Sequence, residues 1–256
     1  MHLDVPRELH RGRHRSDEEW LASGIALLDL LARSFELDDL STTSLLDVGC
    51  GTKFTKVILE TGIPIGRYVG VDISAEVISF LAANVDDPRF AFHHLDAHNE
   101  LYNPDGQPLD SFGELPVRGE RFDLISLFSV FTHLAPHDYR TMLELLRPHV
   151  ADGGGLLFSL FVDEGIDAAH RDAFNQELKR RRQAGDVDVI RAIEARTAAG
   201  VDVPDFFDRV PERPLLEAVY SAPYARELID DTGWEVVDLH PPVPSVVQHY
   251  FVCRPV

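Results

Sequence analysis

Apolar positions along this chain follow two rhythms in turn. Trp20, Ile25, Leu28 and Leu31 fall at helical spacing within residues 17–35, which predicts an amphipathic helix packed on the segment after it. From Ser44 the pattern changes to short apolar runs separated by stretches of helical period: SLLDVG, KFTKVILETG, RYVGVDIS, AEVISFLAANV and FAFHHLD. Strand, helix, strand, helix, strand predicts a parallel sheet, because parallel neighbours need a crossover that returns the chain to the same edge.

Residues 97–120 are rich in Pro, Gly and Asp without a clean period and are expected to form a long surface loop with function nearby. FDLISLF then reads as a buried strand. Pro136 suits the first turn of a helix carrying Met142, Leu143 and Leu146, and GGLLFSLFV at 154–162 returns to strand. Residues 163–213 read as two polar helices, stopped near Gly185 and Gly200, and a Pro-containing loop. A helix (PYARELIDDTG), a strand (WEVVDLH) and a last strand (VVQHYFVCRP), the two strands joined as a hairpin, end the sequence. No internal repeat interrupts this order. The expected organisation is an N-terminal helical cap (1–42), a core of alternating strands and helices (43–162), a helical insertion able to serve as a substrate lid (163–213) and a C-terminal helix and hairpin that complete the core (214–256).

Composition narrows the function classes. The 256 residues suffice for one α/β core, and 43 acidic against 24 basic side chains give a net charge of -19, which repels a phosphate backbone and argues against bulk DNA or RNA as a partner. No apolar stretch follows Met1 as in a secretory leader, and no apolar run is long enough to span a bilayer. Two cysteines, Cys50 and Cys253, read as those of a reduced, cytoplasmic protein and exclude a cysteine zinc site. The KRRR run at 179–182 fits a solvated helix face better than a grip on an acidic ligand, and Phe206, Phe207 and Tyr220 read as core aromatics beside the insertion. Nothing in the sequence sets an oligomeric state.

The chemistry concentrates at strand ends. In LLDVGCGTKF at 45–54 an apolar strand runs into Asp47, Gly49 and Gly51 just before a helix, and glycines there let a ligand approach the backbone. Asp72 ends the next strand 25 positions on (72 minus 47), a spacing that suits a carboxylate gripping ribose hydroxyls. Asp96 and Ala97 end the third strand, and LFSVFTHL ends the fourth. Taken singly these have plain structural uses: Asp72 favours a helix N-terminus with Ser74 as its cap, and Asp96 suits a turn. Their joint order on one edge of a parallel sheet is what points to a ligand site.

Through DVGCGT at 47–52, VGVDIS at 69–74, LDA at 95–97 and FDLISLFSVFTHL at 122–134, the chain resembles the class I S-adenosylmethionine-dependent methyltransferases over residues 45–162. The resemblance implies a Rossmann-like α/β fold, a mostly parallel sheet of seven strands with the last antiparallel, helices on both faces, and S-adenosylmethionine as cofactor. It further implies that Asp47, Gly49 and Gly51, with Cys50 between the glycines, would line the methionine end of that cofactor. Asp72 would take the ribose hydroxyls, Ile73 would lie against adenine, Asp96 and Ala97 would meet its amino edge, and Leu127 and Phe128 would border the methyl. Lys53 departs from the pattern, standing where many members carry a third glycine, and bears on the geometry of the turn.

His133, a few residues beyond the fourth strand, is the candidate general base, against the plainer use of a hydrogen-bonded histidine that shapes the pocket. His133 and His137 are four apart, but Pro136 between them and the lack of a carboxylate pair argue against a metal site. The acceptor is expected to be a small molecule methylated on oxygen. Neither the Asn/Asp-Pro-Pro-aromatic motif of base amino methylation nor a Pro-Cys nucleophile is present. A nicotinamide-dependent oxidoreductase fits less well, since Phe54 occupies the third-glycine register of G-x-G-x-x-G and Asp47 has no role there. A non-catalytic module that keeps the cofactor fold is the other reading compatible with the sequence.

Overall fold

The computed structural model describes residues 2–10, 16–162, 206–208, 213, 215–242 and 248–256. The two polar helices expected within 163–213, and the KRRR run, lie outside the described residues. After a 3-10 turn at Arg7–Leu9 comes α1 (Asp17–Ser34), as the spacing of its apolar residues predicts. Ser16 caps it by accepting from the Glu19 amide at 3.2 Å, and Asp17, Glu18 and Glu19 complement the positive end of the helix.

The alternation follows: β1 (Leu40–Val48), α2 (Lys53–Thr61), β2 (Ile65–Asp72), α3 (Ala75–Asn84), β3 (Phe90–His94), β4 (Phe122–Leu127), α4 (Pro136–Leu146) and β5 (Val150–Val162). Then come β6 (Phe206–Asp208), which lies within the 163–213 stretch where a loop was expected, β7 (Ala218–Tyr220), α5 (Ala222–Glu227), β8 (Trp234–His240) and β9 (His249–Pro255). The main sheet has the order β3-β2-β1-β4-β5-β9-β8, with the first five strands parallel and β9 antiparallel to both neighbours. These are the seven strands anticipated from the sequence. Two short ones were not anticipated. The 13-residue β5 outruns β9, which pairs with its residues 156–160, and β7 pairs in parallel with Phe161 and Val162, carrying β6 beside it.

The central strands bury both faces, which is why they read as unbroken apolar runs. One face, with Leu46, Val48, Val69 and Phe158, packs on Tyr139, Met142 and Leu143 of α4 and Ala225 of α5. The other, with Leu45, Tyr68 and Leu157, packs on Leu28 and Leu31 of α1, Val57 of α2 and Val77 of α3. The N-terminal segment adds Leu3, Val5 and Leu9 to that second core. It is clipped to α2 through Lys56, whose Nζ donates to the Leu3 carbonyl and to Glu60 Oε1, both at 2.7 Å.

The stretch 97–120 differs from the surface loop expected. Leu109, Leu115 and Val117 are buried in the first core, Leu109–Ser111 form a 3-10 turn, and a bridge joins Ala97 to Gln107. Three apolar residues among many Pro, Gly and Asp carry no periodic signal, yet they suffice to anchor the loop.

Candidate cofactor site

The turn between β1 and α2 is built from the register of β1. Asp47 lies opposite Gly70 on β2 and Ser126 on β4, and the pleat turns its carboxylate into the second core at 3% exposure. There it accepts from the Tyr68 hydroxyl and the Ser126 hydroxyl, each at 2.7 Å. Burial pushes its carboxyl up to about 7, against the pull of these two bonds and with a further push from Asp72. The chain then turns through Gly49 and Gly51, both left-handed at φ 75° and 49°. Gly49 also needs its missing side chain, because a Cβ there would collide with Val130 Cγ2 from the loop after β4. The Gly49 and Cys50 amides both donate to the Val71 carbonyl, at 2.7 and 3.1 Å, which leaves the turn anchored to β2. Cys50 points its thiol into the second core, and burial raises that thiol well above its usual range. Only its backbone faces the turn.

Lys53 begins α2 in the right-handed backbone of a helix, not among the left-handed residues, so the third-glycine position accepts a side chain here without strain.

Asp72 closes β2 with both oxygens engaged: Oδ2 accepts from the Gly51 amide at 2.9 Å and Oδ1 from the Ser74 amide at 2.8 Å. The carboxylate therefore ties the glycine turn to the start of α3, which Ser74 caps through the Val77 amide. Each oxygen keeps a lone pair for a further donor. Ile73 is half-buried against the first core. After β3, Asp96 accepts from Asn103 Nδ2 at 3.0 Å, which holds its carboxyl below the usual range, while Ala97 is buried and its carbonyl accepts from the same amide at 3.0 Å.

At the end of β4, Leu127 is fully buried in the core and Phe128 is half-buried, edge-on to Phe54 and to Tyr250 at 5.3 and 6.1 Å. Ser129 follows in a left-handed conformation at φ 58°, its amide donating to Ser159 Oγ at 2.7 Å and its hydroxyl paired with the Gln248 amide group. A non-glycine residue held there stores backbone strain, and Ser159 and Gln248 are what hold it. His133 ends the short 3-10 turn Phe131–His133. Its Nδ1 lies 3.0 Å from the Leu215 carbonyl, and Tyr102 meets its ring edge-on at 5.5 Å. A carbonyl only accepts, so in the neutral ring Nδ1 carries the hydrogen and Nε2 the lone pair. Burial lowers its pKa, with the Leu215 contact and Glu217 opposing.

All the sequence-predicted residues thus sit at the carboxyl edge of the parallel strands or in the loops leaving it. Sequence reasoning missed Tyr68, Ser126, Ser129, Ser159 and Gln248, whose roles come from register and from β9 returning beside β5. No group of His, Cys, Asp and Glu among the described residues could hold a metal ion, and His137 stands apart from His133, paired with Asp110 at 3.4 Å. No helix among the described residues is long and apolar enough to cross a membrane.

The model of the methyltransferase domain family matches residues 14–239, nearly the whole chain. The chain belongs to the class I S-adenosylmethionine-dependent methyltransferases. Solved structures share its fold. A methyltransferase of calicheamicin biosynthesis in its S-adenosylhomocysteine-bound form matches with a TM-score of 0.54 at 20% identity, over 92% of this methyltransferase and 54% of that chain. Magnesium protoporphyrin IX methyltransferase from Synechocystis, also with bound S-adenosylhomocysteine, matches with a TM-score of 0.52 at 12% identity, over 98% and 92%. Mitomycin 7-O-methyltransferase matches with a TM-score of 0.52 at 14% identity, over 92% and 56%. This methyltransferase therefore spans about half the length of the first and third.

The donor of this family, S-adenosylmethionine, suits the edge described above. A left-handed glycine turn, a strand-end carboxylate with lone pairs to spare at Asp72 and a half-buried apolar neighbour in Ile73 are residue types compatible with such a ligand.

Proposed function

We propose that this chain transfers the methyl group of S-adenosylmethionine to an oxygen of a small-molecule acceptor. The observation that supports the reading is that Asp72, Asp96, the glycine turn and the loop carrying His133 all follow the carboxyl ends of neighbouring parallel strands, with the glycine turn meeting the loop after β4 at Gly49 and Val130. Asp72 would hold the ribose, Ile73 and Ala97 the adenine, Asp96 its amino edge, and Gly49, Cys50 and Gly51 the methionine part by their backbone. Leu127 and Phe128 would border the methyl. The bound cofactor supplies an electrophilic methyl on a sulfonium sulfur. The chain's own task is then to align the acceptor and remove its proton.

His133 is the candidate for the second part. Its Nδ1 is engaged by Leu215, and burial keeps the ring neutral near pH 7, so Nε2 can take the proton of a hydroxyl acceptor. The charge of -19 favours an acceptor other than nucleic acid. Two of the structural relatives are a calicheamicin biosynthesis methyltransferase and a mitomycin 7-O-methyltransferase, which supports a metabolite as acceptor.

The test is transfer of labelled methyl from S-adenosylmethionine to a metabolite extract, to tRNA and to DNA. Label in an extract metabolite as an ether or ester is expected; label chiefly in nucleic acid overturns the reading. With the labelled acceptor in hand, His133→Ala should lower turnover by roughly 10² to 10⁴ with cofactor affinity nearly intact. Full activity in that variant would eliminate the base and leave an already ionised carboxylate as the acceptor group.

A further inference from the structure

The loop that leaves β4 contains a residue in a conformation that its side chain disfavours. Ser129 stands at φ 58°, in the left-handed region that glycine enters freely and a residue with a Cβ does not. Packing of its side chain does not explain this, because Ser129 is exposed. What holds it comes from two other strands. Ser159 of β5, fully buried, accepts from the Ser129 amide at 2.7 Å. Gln248, buried at the head of β9, meets the Ser129 hydroxyl with both ends of its amide: Oε1 accepts from it at 3.2 Å and Nε2 donates to it at 3.1 Å. The register explains the meeting. β9 runs back beside β5 with Tyr250 opposite Ser159 and His249 opposite Leu160, which brings Gln248 to the carboxyl edge of the parallel strands.

The contacts on either side of Ser129 show what this conformation fixes. Before it, the Phe128 ring meets Phe54 of α2 and Tyr250 of β9. After it, Val130 comes down on Gly49, so closely that a Cβ on the glycine would strike Val130 Cγ2. The left-handed residue is the pivot between these contacts, and the 3-10 turn Phe131–His133 follows directly. Residues held in sparsely populated backbone regions persist only where their surroundings over-determine them, and they gather at ligand sites. Here the surroundings are two buried polar side chains, and what they fix is the seat of the loop on the glycine turn.

We propose that Gln248 is a positioning residue: through Ser129 it seats the loop after β4 on the glycine turn and so prepares the cofactor edge for its ligand. The proposal rests on the S-adenosylmethionine reading above. Gln248 touches neither cofactor nor acceptor in this role. A loop already seated binds ligand with its full intrinsic affinity, whereas a loop seated for only a fraction of the time weakens binding by that fraction.

The test is calorimetric titration of the full chain with S-adenosylhomocysteine. Gln248→Met keeps the length of the side chain and removes its amide; it is expected to weaken binding roughly 3- to 10-fold, as for one hydrogen bond lost from the seated loop. Ser129→Ala removes the other partner and keeps the Cβ. It should weaken binding as much, with the double variant no worse than either alone, since the pair acts as one unit. Ser129→Gly placed in the Gln248→Met background should restore binding to within about twofold of wild type, because glycine takes the left-handed conformation unaided. Wild-type affinity in Gln248→Met overturns the proposal. Losses that multiply in the double variant, or glycine and alanine at 129 behaving alike in the Gln248→Met background, would reduce Gln248 to packing at the head of β9 and overturn it equally. Should Gln248→Met fail to fold, Ser129→Ala against Ser129→Gly in the otherwise unaltered chain decides by the same comparison: tighter binding by the glycine variant supports the proposal and equal binding overturns it. Failure of the wild-type chain to bind S-adenosylhomocysteine at all would overturn the cofactor reading itself, an outcome distinct from a defect confined to the variants.

Discussion

Asp47 shows how a carboxylate near a strand end can be buried at a cost to the fold. Its carboxyl stands near 7 in the folded chain against 3.8 for the free group, because the desolvation of a fully buried carboxylate exceeds what Tyr68 and Ser126 return. Between those values the folded chain keeps a proton that the unfolded chain has released. The resulting stabilisation is present in full below about pH 4 and is lost as the pH rises through about 7, with a slope of up to about 1.4 kcal/mol per unit. Urea denaturation at pH 5 and pH 7.5 should show the wild-type chain losing stability across that window, and Asp47→Asn losing markedly less. Equal losses in the two proteins would mean that Asp47 is ionised in the fold. The residue itself is visible in the DVGCGT motif; its partners Tyr68 and Ser126 are ordinary strand residues in sequence, brought to it by the pairing of β1 with β2 and β4.

At the scale of elements, the β6–β7 pair is the addition with a consequence for the site. Strands of three residues have no period to detect, and β7 exists because β5 runs past β9 and offers an unpaired edge. Tyr220 of β7 is fully buried, with its ring 5.3 Å from Tyr139 and 5.1 Å from Phe206, and its hydroxyl donates to the Leu134 carbonyl at 2.7 Å. That bond falls on the residue next to His133, while Leu215, three residues before β7, holds the His133 ring. The short pair therefore buttresses the loop after β4. Tyr220→Phe should cost roughly 1 kcal/mol of unfolding free energy and lower turnover, with S-adenosylhomocysteine affinity within about twofold. Unaltered turnover in a variant destabilised by that amount would show that the buttress does not reach the reaction.

For the molecule as a whole, charge sets the behaviour that packing does not. A net charge of -19 on 256 residues is repelled by its own compactness, and its long-range part is open to screening by salt. Raising the salt from about 0.01 to about 0.15 M shortens the screening length from about 30 to about 8 Å. The melting temperature should rise across that range, as followed by circular dichroism. A melting temperature that falls instead would mean that local ion pairs such as Lys56 with Glu60 and Arg67 with Glu120 outweigh the general repulsion.

The order of strands and helices, the parallel sheet, the glycine turn and the acids at strand ends were all legible in the sequence, because each is written in residues close along the chain: apolar period, turn residues, a carboxylate at a strand terminus. Tertiary structure alone decided what those residues meet. A side chain at Gly49 would collide with Val130 from the loop after β4, and Lys53 is held by Ser23 and Trp20 because α1 lies across α2. His133 owes its Nε2 to a carbonyl 82 residues away, and Ser129 owes its strained conformation to Ser159 and to Gln248 at the head of β9. Local spacing determines which element a residue joins, while partners across the sheet follow from register and topology, which no short segment contains.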